Sequence, residues 1–570
     1  MYILGIWDGH DSGAALIRDG RIIFASNEER YTKRKLEVSF PRNAINAALK
    51  YGKIRSGDVE VIAFPTTELA KTVSRIFPTQ KEAYYRFRRR KMLKPRTEGL
   101  MHYSKYALTT IGRLPFCGEI SRHAVSAELK GLGFENPNVV AVDHHQAHAA
   151  TAAFTSGLGD QLVITLDGIG DGASGSVSVM EGGELERKIT IPGRDSVGIF
   201  YEQVTNILGM RELEDEGKIM AMADYSFSFD FSRNKLKDFF SVEGVEIKAK
   251  YGPLKQYDML NRIAWGTPRE QFAYMAQQVL ENTVTSFVSN AIDEYGIHDV
   301  SFSGGVMSNI KANMKVRMMD KLKRWYIFPH MGDGGIALGA AMAVNYTTNG
   351  ISSYEFNDSY LGESYDESHI LKALKKEKGL EFEYEKRKDS HAAEIIESNH
   401  YILWFQGRME YGPRALGNRS IVGDAGSDKV KDMLNLYVKQ REWYQPFAPS
   451  MLEEESKKLL EDVKGTDRFM TMGYAVKPSR IKEMKSVVHV DMTARPQMVG
   501  GENREYRDLI ARVKRNSGYG VVLNTSFNIH GMPIVASPED AIDTMKKTNS
   551  RYMFIGGYFV ENSGARGQRA

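Results

Sequence analysis

One cysteine in 570 residues, Cys117, is what this sequence most conspicuously lacks company for. A single thiol excludes an internal disulfide framework, thiolate zinc fingers and any CxxC redox pair, and it suits a reducing compartment. Long apolar runs are missing too. No stretch approaches the roughly 18 residues needed to span a bilayer, and the opening Met1-Tyr2-Ile3-Leu4-Gly5-Ile6-Trp7 has neither the basic start nor the extended apolar core of a secretory signal. Nor is there an excess of one charge: 76 basic against 72 acidic side chains leave a net charge of +4, which argues against a nucleic-acid binder. These absences lead us to expect a cytoplasmic protein with neither membrane nor nucleic acid among its partners. The length, by contrast, exceeds what one hydrophobic core organises and predicts at least two domains.

What is present first is a repeat. The apolar run Ile3–Ile6 ends in Asp8-Gly9 and is followed by Ala14–Ile17, a turn at Asp19-Gly20 and a further strand from Ile22 to Phe24. The same grammar returns at Leu162–Leu166, Asp167-Gly168, Gly175–Met180, the turn Gly182-Gly183 and a strand near Ile189. Turns of this composition join antiparallel strands, so the pattern predicts a duplicated unit. Two further strand, glycine-loop, helix units follow. One is Val300–Val306, with Gly304-Gly305 and a helix from about Ser308; the other is Tyr326–Phe328, the loop Pro329–Gly335 and a small-residue helix Ala337–Ala343. Between the copies and these units, Arg269–Ile292 has the spacing of a core helix. Glycine loops after buried strands bring backbone N–H groups to phosphate oxygens. Duplicated loops facing one another would enclose a nucleotide, and this half resembles in layout the superfamily of actin, sugar kinases and chaperone ATPases.

His144 and His148 are four residues apart, which on a helix places both imidazoles on one face at ligand spacing. An isolated HxxxH reads equally well as two surface histidines. Here Ala147, Ala149 and Ala150 leave the face packable, and Asp167 and Asp333 lie in loops that a duplicated fold would bring near. Two imidazole nitrogens and two carboxylate oxygens suit Fe(II), placed first, or Zn(II) or Mn(II).

Taken together, His144-His145-xx-His148, Leu166-Asp167-Gly168, Glu216-Gly217-Lys218-Ile219-Met220, Ser303-Gly304-Gly305-Val306 and Gly332-Asp333-x-Gly335 resemble the O-carbamoyltransferase family, which includes nodulation-factor, cephamycin and tobramycin carbamoyltransferases. The family's second-domain motifs are also here: Trp404 to Ser420, containing Gly412-Pro413-Arg414-Ala415-Leu416-Gly417-Asn418-Arg419; Val438-Lys439-x-Arg441-Glu442; and Leu523-Asn524-Thr525-Ser526-Phe527-Asn528. His489-Val-Asp491-Met-Thr493-Ala-Arg495 matches a further signature, except that Met492 stands where glycine is expected and Pro496 where a β-branched residue is expected.

The resemblance implies an α/β fold with an actin-like, duplicated ribonuclease H-like domain and a threonylcarbamoyl-AMP synthase-like domain, and the polar stretch Tyr346–Ser368, without apolar period, places their boundary near residue 355, giving 1–355 and 356–570. It implies that carbamoyl phosphate and ATP, accompanied by Mg(II), give carbamoyl-adenylate and pyrophosphate in the second domain, and that the first passes the carbamoyl group to a hydroxyl of a small-molecule acceptor. His144, His148, Asp167 and Asp333 would hold the metal. Gly168, Lys218, Gly304, Gly305, Asn309, Gly335, Arg408, Arg414, Arg419, Lys439, Arg441, Arg495, Ser526 and Asn528 would contact the nucleotide or carbamoyl phosphate. His10, as general base oriented by Asp11, joins Arg414, Lys439 and Ser526 as catalytic residues. Arginine forks suit phosphate oxygens, and the other reading of these cations is a solvated basic face paired with Glu410 and Glu442. A homodimer is an open alternative to a monomer.

The stretch 81–96, with eight basic side chains and one acid, reads as an insertion helix with a solvated face, with an RNA or anionic-substrate surface as the other reading. A tRNA-modifying threonylcarbamoyl transferase is the alternative enzyme, which the Gly-Pro-Arg-Ala-Leu-Gly-Asn-Arg motif opposes. A hydrogenase-maturation carbamoyltransferase would need cysteines that are missing, and a non-catalytic actin-type scaffold would not consume carbamoyl phosphate.

Overall fold

The computed structural model describes residues 1–91, 107 and 110–565. They form two compact units: Met1–Glu28 with Leu36–Phe356, and Glu29–Lys35 with Asn357–Ala570.

In the first unit the repeat seen in the sequence becomes two five-stranded sheets of one topology. Strands β1 (Tyr2–Trp7), β2 (Gly13–Arg18), β3 (Arg21–Asn27), β4 (Val61–Pro65) and β5 (Val139–Val142) run in the order β3-β2-β1-β4-β5. Strands β6 (Gln161–Gly170), β7 (Ala173–Glu181) and β8 (Glu184–Pro192) join β11 (Asp299–Ser303) and β12 (Arg324–Ile327) in the matching order β12-β11-β6-β7-β8; a separate hairpin, β9 (Phe240–Glu243) and β10 (Glu246–Ala249), lies between them in sequence. In each sheet the first three strands are antiparallel neighbours and the last two add in parallel. That is the ribonuclease H-like duplication of the actin-type fold. Its tight turns fall where glycine follows Asp19 and at Gly182-Gly183, and its parallel strands are apolar on both faces because helices cover them.

Each repeat ends in a helix after its fifth strand, His144–Thr155 in one and Ile336–Asn349 in the other. The two pack backbone to backbone: a Cβ on Gly339 would stand 2.0 Å from Ala147 O. This approach explains the run of alanines in both helices, since larger side chains would hold the axes apart. The helix expected from about Ser308 begins instead at Ile310, after a 3-10 turn over Gly305–Ser308. Asn309 caps it, its Oδ1 accepting from Ala312 N at 3.1 Å.

The second unit is α/β around a mixed eight-stranded sheet. Its strands are β13 (Glu381–Tyr384), β14 (Ile402–Phe405), β15 (Arg419–Asp424), β16 (Ala448–Leu452), β19 (Gln497–Val499), β20 (Val521–Ser526), β21 (Tyr552–Ile555) and β22 (Tyr558–Glu561), in the order β13-β22-β21-β14-β15-β20-β16-β19. A short pair, β17 (Tyr474–Ala475) and β18 (Thr493–Ala494), stands apart. Trp404, Ile402, Val422 and Val522 pack with Tyr506, Leu509 and Ile510 of helix Arg504–Ser517 to make its core. The segment Glu29–Lys35 is a strap on this unit: Arg30 Nη2 donates to Gly412 O at 2.8 Å and Lys33 pairs with Asp540.

Candidate functional site

In the first unit, the carboxyl ends of the strands collect the polar side chains, as expected where loops leave parallel strands. His144 opens its helix just after β5, Asp167 lies in β6, and Asp333 begins the turn before the second repeat's helix. One ligand atom from each of His144, His148, Asp167 and Asp333 falls within 4.8 Å of the others. His144 Nε2 is 3.2 Å from Asp167 Oδ2 and 3.6 Å from Asp333 Oδ1; His148 Nε2 is 3.7 and 3.6 Å from the same oxygens. Donor atoms about 2.1 Å from one ion in a tetrahedron stand about 3.4 Å apart, so the four residues fit a divalent cation.

The opposite ring nitrogens are held in the sense a metal needs. His148 Nδ1 meets Ser303 Oγ at 3.0 Å, and that hydroxyl donates to Met331 O at 3.3 Å, so Nδ1 is the donor and the Nε2 lone pair faces the carboxylates. His144 Nδ1 meets Thr66 Oγ1 at 2.9 Å. His148 Nε2 is buried with no hydrogen-bond partner among the described residues. Burial opposes a charged imidazole, yet Asp333 and the hydrogen bond to Asp167 overturn it and raise His144 to about 10; the same contacts hold Asp167 well below the usual carboxylate range against its own burial. The carboxylates thus bind positive charge whether a proton or a cation carries it.

His10 reaches the same place from the loop after β1, with Nδ1 3.4 Å from Asp333 Oδ2 and its ring tilted against Tyr85 at 5.9 Å. Burial, aided by Arg89 and Arg88, pushes it down to about 4 in spite of Asp333.

The glycines named from the sequence differ in what they do. Gly304 has φ 103, and a Cβ there would stand 2.1 Å from Leu166 O, so only glycine fits. Gly305 N donates to Asp167 Oδ1 at 2.7 Å, fixing the carboxylate. Gly335 ends the turn that carries Asp333. Beside Gly168 a Cβ would meet only Ile199, at 3.9 Å, so sterics do not require glycine there. Lys218 pairs with Asp215 at 3.0 Å. The Asn309 amide bonds to Gln277 at 2.9 and 3.0 Å and caps the helix that follows it, so its side chain is engaged within the fold.

In the second unit the cations divide into two kinds. Arg414 and Arg495 have no hydrogen-bond partner among the described residues, and Arg495 Nε is fully buried. Arg441 lies 3.9 Å over the Phe447 ring and reaches Asn435 Oδ1 at 3.2 Å. Burial lowers Arg414 and Arg441 to about 10 each; burial, then Arg414 and Arg441, take Arg495 well below its usual range. A guanidinium does not give up its proton in proteins, so these shifts express unrelieved charge that an anion would relieve. Lys439 closes a π-helical turn, Leu434–Lys439, and its ammonium meets Ser526 O, Ser526 Oγ at 3.2 Å, Asn528 O at 3.2 Å and Asn528 Oδ1 at 2.7 Å. Its proton affinity is likewise well below normal through burial, Arg441 and Lys35. Ser526 and Asn528 therefore hold the lysine as a fixed point charge.

Arg408 and Arg419, unlike Arg414 and Arg495, are engaged by main-chain carbonyls. The Arg419 guanidinium is fully buried 3.6 Å over Phe405 and donates to the carbonyls of Gln406, Gly407 and Asn418; Arg408 donates to Gly362 O and Leu361 O. Both shape the loop from within. Glu410 pairs with no arginine among the described residues: its Oε1 accepts from the N–H groups of Leu416, Asn418 and Arg419 at 2.8, 2.8 and 3.1 Å and so folds the glycine-rich turn around itself.

In the basic stretch, residues 92–96 lie outside the described residues; over 81–91 Arg86, Arg90 and Lys91 are exposed, and most of the cations have partners within the protein. Lys81 donates to Asp8 O, Arg88 pairs with Glu202 and Glu212, Arg89 and Arg90 donate to the carbonyls of Leu36 and Asn206, and Lys91 pairs with Glu214. Residues missed by sequence reasoning are Thr66 and Ser303, which orient the imidazoles, and Lys35, whose charge reaches Lys439 from the strap; only Ser303 carried a signal, as the last residue of a strand before Gly304-Gly305. No helix among the described residues is long and apolar enough to cross a membrane.

Residues 2–342 match the family model described as carbamoyltransferase N-terminus, and residues 393–562 the one described as carbamoyltransferase C-terminus. An uncharacterized protein of Methanocaldococcus jannaschii is 32% identical over 97% of this chain and 98% of its own. The nodulation protein NolNO of Sinorhizobium fredii is 30% identical over 97% of this chain and 79% of its own. The 3'-hydroxymethylcephem-O-carbamoyltransferase of Streptomyces clavuligerus is 28% identical over 61% of this chain and 65% of its own.

Proposed function

This chain belongs to the carbamoyltransferase family, and from that premise we propose that it is an ATP-dependent O-carbamoyltransferase whose second unit makes carbamoyl-adenylate and whose first unit delivers the carbamoyl group to a hydroxyl. The observation that carries this reading is the cluster of buried Lys439 with half-buried Arg414, Arg441 and Arg495, none of which forms an ion pair with a carboxylate among the described residues. ATP and carbamoyl phosphate are both dense in negative charge, and adenylyl transfer is helped chiefly by positioning and neutralising it. Carbamoyl phosphate, ATP and one water balance to carbamoyl-adenylate, phosphate and pyrophosphate. Arg414 and Arg495, with unengaged forks, would grip phosphate oxygens; Lys439 and Arg441, already braced by protein acceptors and by Phe447, would supply fixed charge.

In the first unit the acceptor oxygen attacks the carbamoyl carbon, the bond from that carbon to the adenylate oxygen breaks, and AMP leaves. His10 Nδ1 faces Asp333, which leaves Nε2 to take the hydroxyl proton. His144, His148, Asp167 and Asp333 would hold Fe(II), Zn(II) or Mn(II), which supplies a positive charge able to polarise an oxygen of the transferred or leaving group. Thr66, Ser303 and Gly305 keep the four ligand atoms aimed.

Pyrophosphate release tests the first step. We expect release that needs ATP and carbamoyl phosphate together and falls by about 100-fold or more in Arg414→Ala, as for loss of one charge-stabilising donor. Absence of release with both substrates and metal present would overturn the reading.

A further inference from the structure

Asp8 sits at the end of β1, two residues before His10, and is 4% exposed. Arg75 binds it with two prongs, Nε to Oδ2 and Nη2 to Oδ1 at 3.0 Å each; Lys71 Nζ is 3.0 Å from Oδ1, and Lys81 Nζ donates to the Asp8 backbone carbonyl at 3.0 Å. Two buried cations thus meet one carboxylate and a third meets its backbone carbonyl, while Arg75 is further committed to Thr66 O at 2.7 Å and Pro65 O at 3.1 Å. Lys71 is the odd member. It is 8% exposed, its Nζ has no hydrogen bond of acceptable geometry among the described residues, and its one further contact is the Trp7 ring, 4.4 Å away. Buried ammonium groups are seldom left so.

The cluster adjoins the transfer site through Trp7. That ring lies edge-on to His144 at 6.3 Å between centroids, and its Nε1 donates to His10 O at 2.8 Å. Two helices, Leu69–Ile76 and Pro78–Arg88, carry the cations and also Tyr85, which packs on His10.

We propose that Lys71, backed by the charges of Arg75 and Lys81, binds an anionic group, phosphoryl or carboxylate, on the hydroxyl acceptor, and that helices Leu69–Ile76 and Pro78–Arg88 form that wall of the acceptor pocket. The acceptor class is therefore an acidic hydroxyl compound, and an amine-bearing acceptor is disfavoured because Asp8 is already more than neutralised. Burial, with Lys81 and Arg75 alongside, lowers Lys71 to about 7 despite Asp8, a charge strain that an incoming anion relieves. The inference rests on the reading of this unit as the transfer site.

The test titrates inorganic phosphate, and separately acetate, into the full chain carrying Arg414→Ala and Arg495→Ala, which silence the second unit's cations. Trp7 emission and calorimetry report binding, with Trp7→Phe as the optical control. We expect saturable binding of at least one anion, weakened about tenfold or more by Lys71→Gln and by Lys81→Gln and restored by Lys71→Arg, as for loss of one charge-assisted contact. Phosphate alone would mark a phosphoryl group and acetate a carboxylate. No saturable binding, or an affinity in both glutamine variants unchanged from that of their parent, overturns the proposal; displacement of phosphate by AMP would give the subsite to the nucleotide and overturn its assignment to the acceptor. The titration involves no carbamoyl chemistry, so its failure and that of the pyrophosphate assay are separate results.

Discussion

Met492 is an exposed residue at φ 63, a left-handed conformation that a side chain adopts at a cost of roughly 1–2 kcal/mol. The sequence departs from the family signature at this position, and the backbone shows why glycine was expected there. Met492→Gly removes the Cβ clash while adding unfolded-state entropy, so we expect a net stabilisation of about 0.5–1 kcal/mol, read as a higher urea midpoint. Glu216 gives a residue-level test of the opposite kind. Burial, with Glu202 and Glu212 nearby, raises its carboxyl to about 8 although Leu213 N donates to it. A carboxyl whose folded value lies above its unfolded one contributes stability that is complete below about pH 4.5 and is lost as pH rises through 8. Glu216→Gln keeps an acceptor for Leu213 N without the ionisation. Its stability relative to the parent should therefore rise with pH across that window, by on the order of 2 kcal/mol once partial exposure is allowed for. A flat difference between pH 4.5 and 8.5 in paired denaturant melts would contradict this.

Among elements, the pair of helices that close the two repeats sets the metal group's frame. Gly339 against Ala147 O leaves no room for a side chain, so Gly339→Val should destabilise the chain by about 3 kcal/mol or more in thermal or denaturant unfolding. Supporting contacts have a subtler signature. Thr66→Val and Ser303→Ala each remove a hydroxyl from the far nitrogen of a ligand imidazole, and each should weaken divalent-metal affinity about 10–100-fold in direct titration. These elements were legible in the sequence to the extent that local chemistry dictates them. The hairpins follow from Asp-Gly and Gly-Gly turns between alternating apolar runs, and the histidine helix from its 3.6-residue spacing. What could not be read was the use of each cation. Arg414 and Arg419 stand five residues apart in one motif, yet one is unpartnered and the other is wrapped in carbonyls, because the loop's path is set by Glu410 and its three N–H donors. The partners of the basic stretch were hidden for the same reason: its counter-charges, Glu202, Glu212 and Glu214, lie more than 110 residues away along the chain.

At the scale of the whole molecule, the two units are not consecutive pieces of sequence. A fragment beginning at residue 357 would lack the strap, losing Arg30 beneath Gly412, Lys33 on Asp540 and the Lys35 charge that bears on Lys439. Such a fragment should unfold at lower urea concentration than the second unit does within the full chain. In the intact protein, Arg30→Ala should mimic part of that loss, because it uncaps the Gly412 carbonyl inside a buried loop, at about 1–3 kcal/mol.

The strap also imposes an order in time. Arg30 and Gly412 are 382 residues apart along the chain, so the second unit holds a contact of very high sequence separation, whose closure is entropically late. As the polypeptide leaves the ribosome, residues 29–35 emerge long before the sheet that receives them exists. Assembly of the second unit therefore cannot conclude until nearly all of the chain has been made, and an early-emerging peptide must stay available throughout. The carbamoyl-adenylate chemistry proposed for that unit would then depend on residues 29–35 as well as on those from 357 onward.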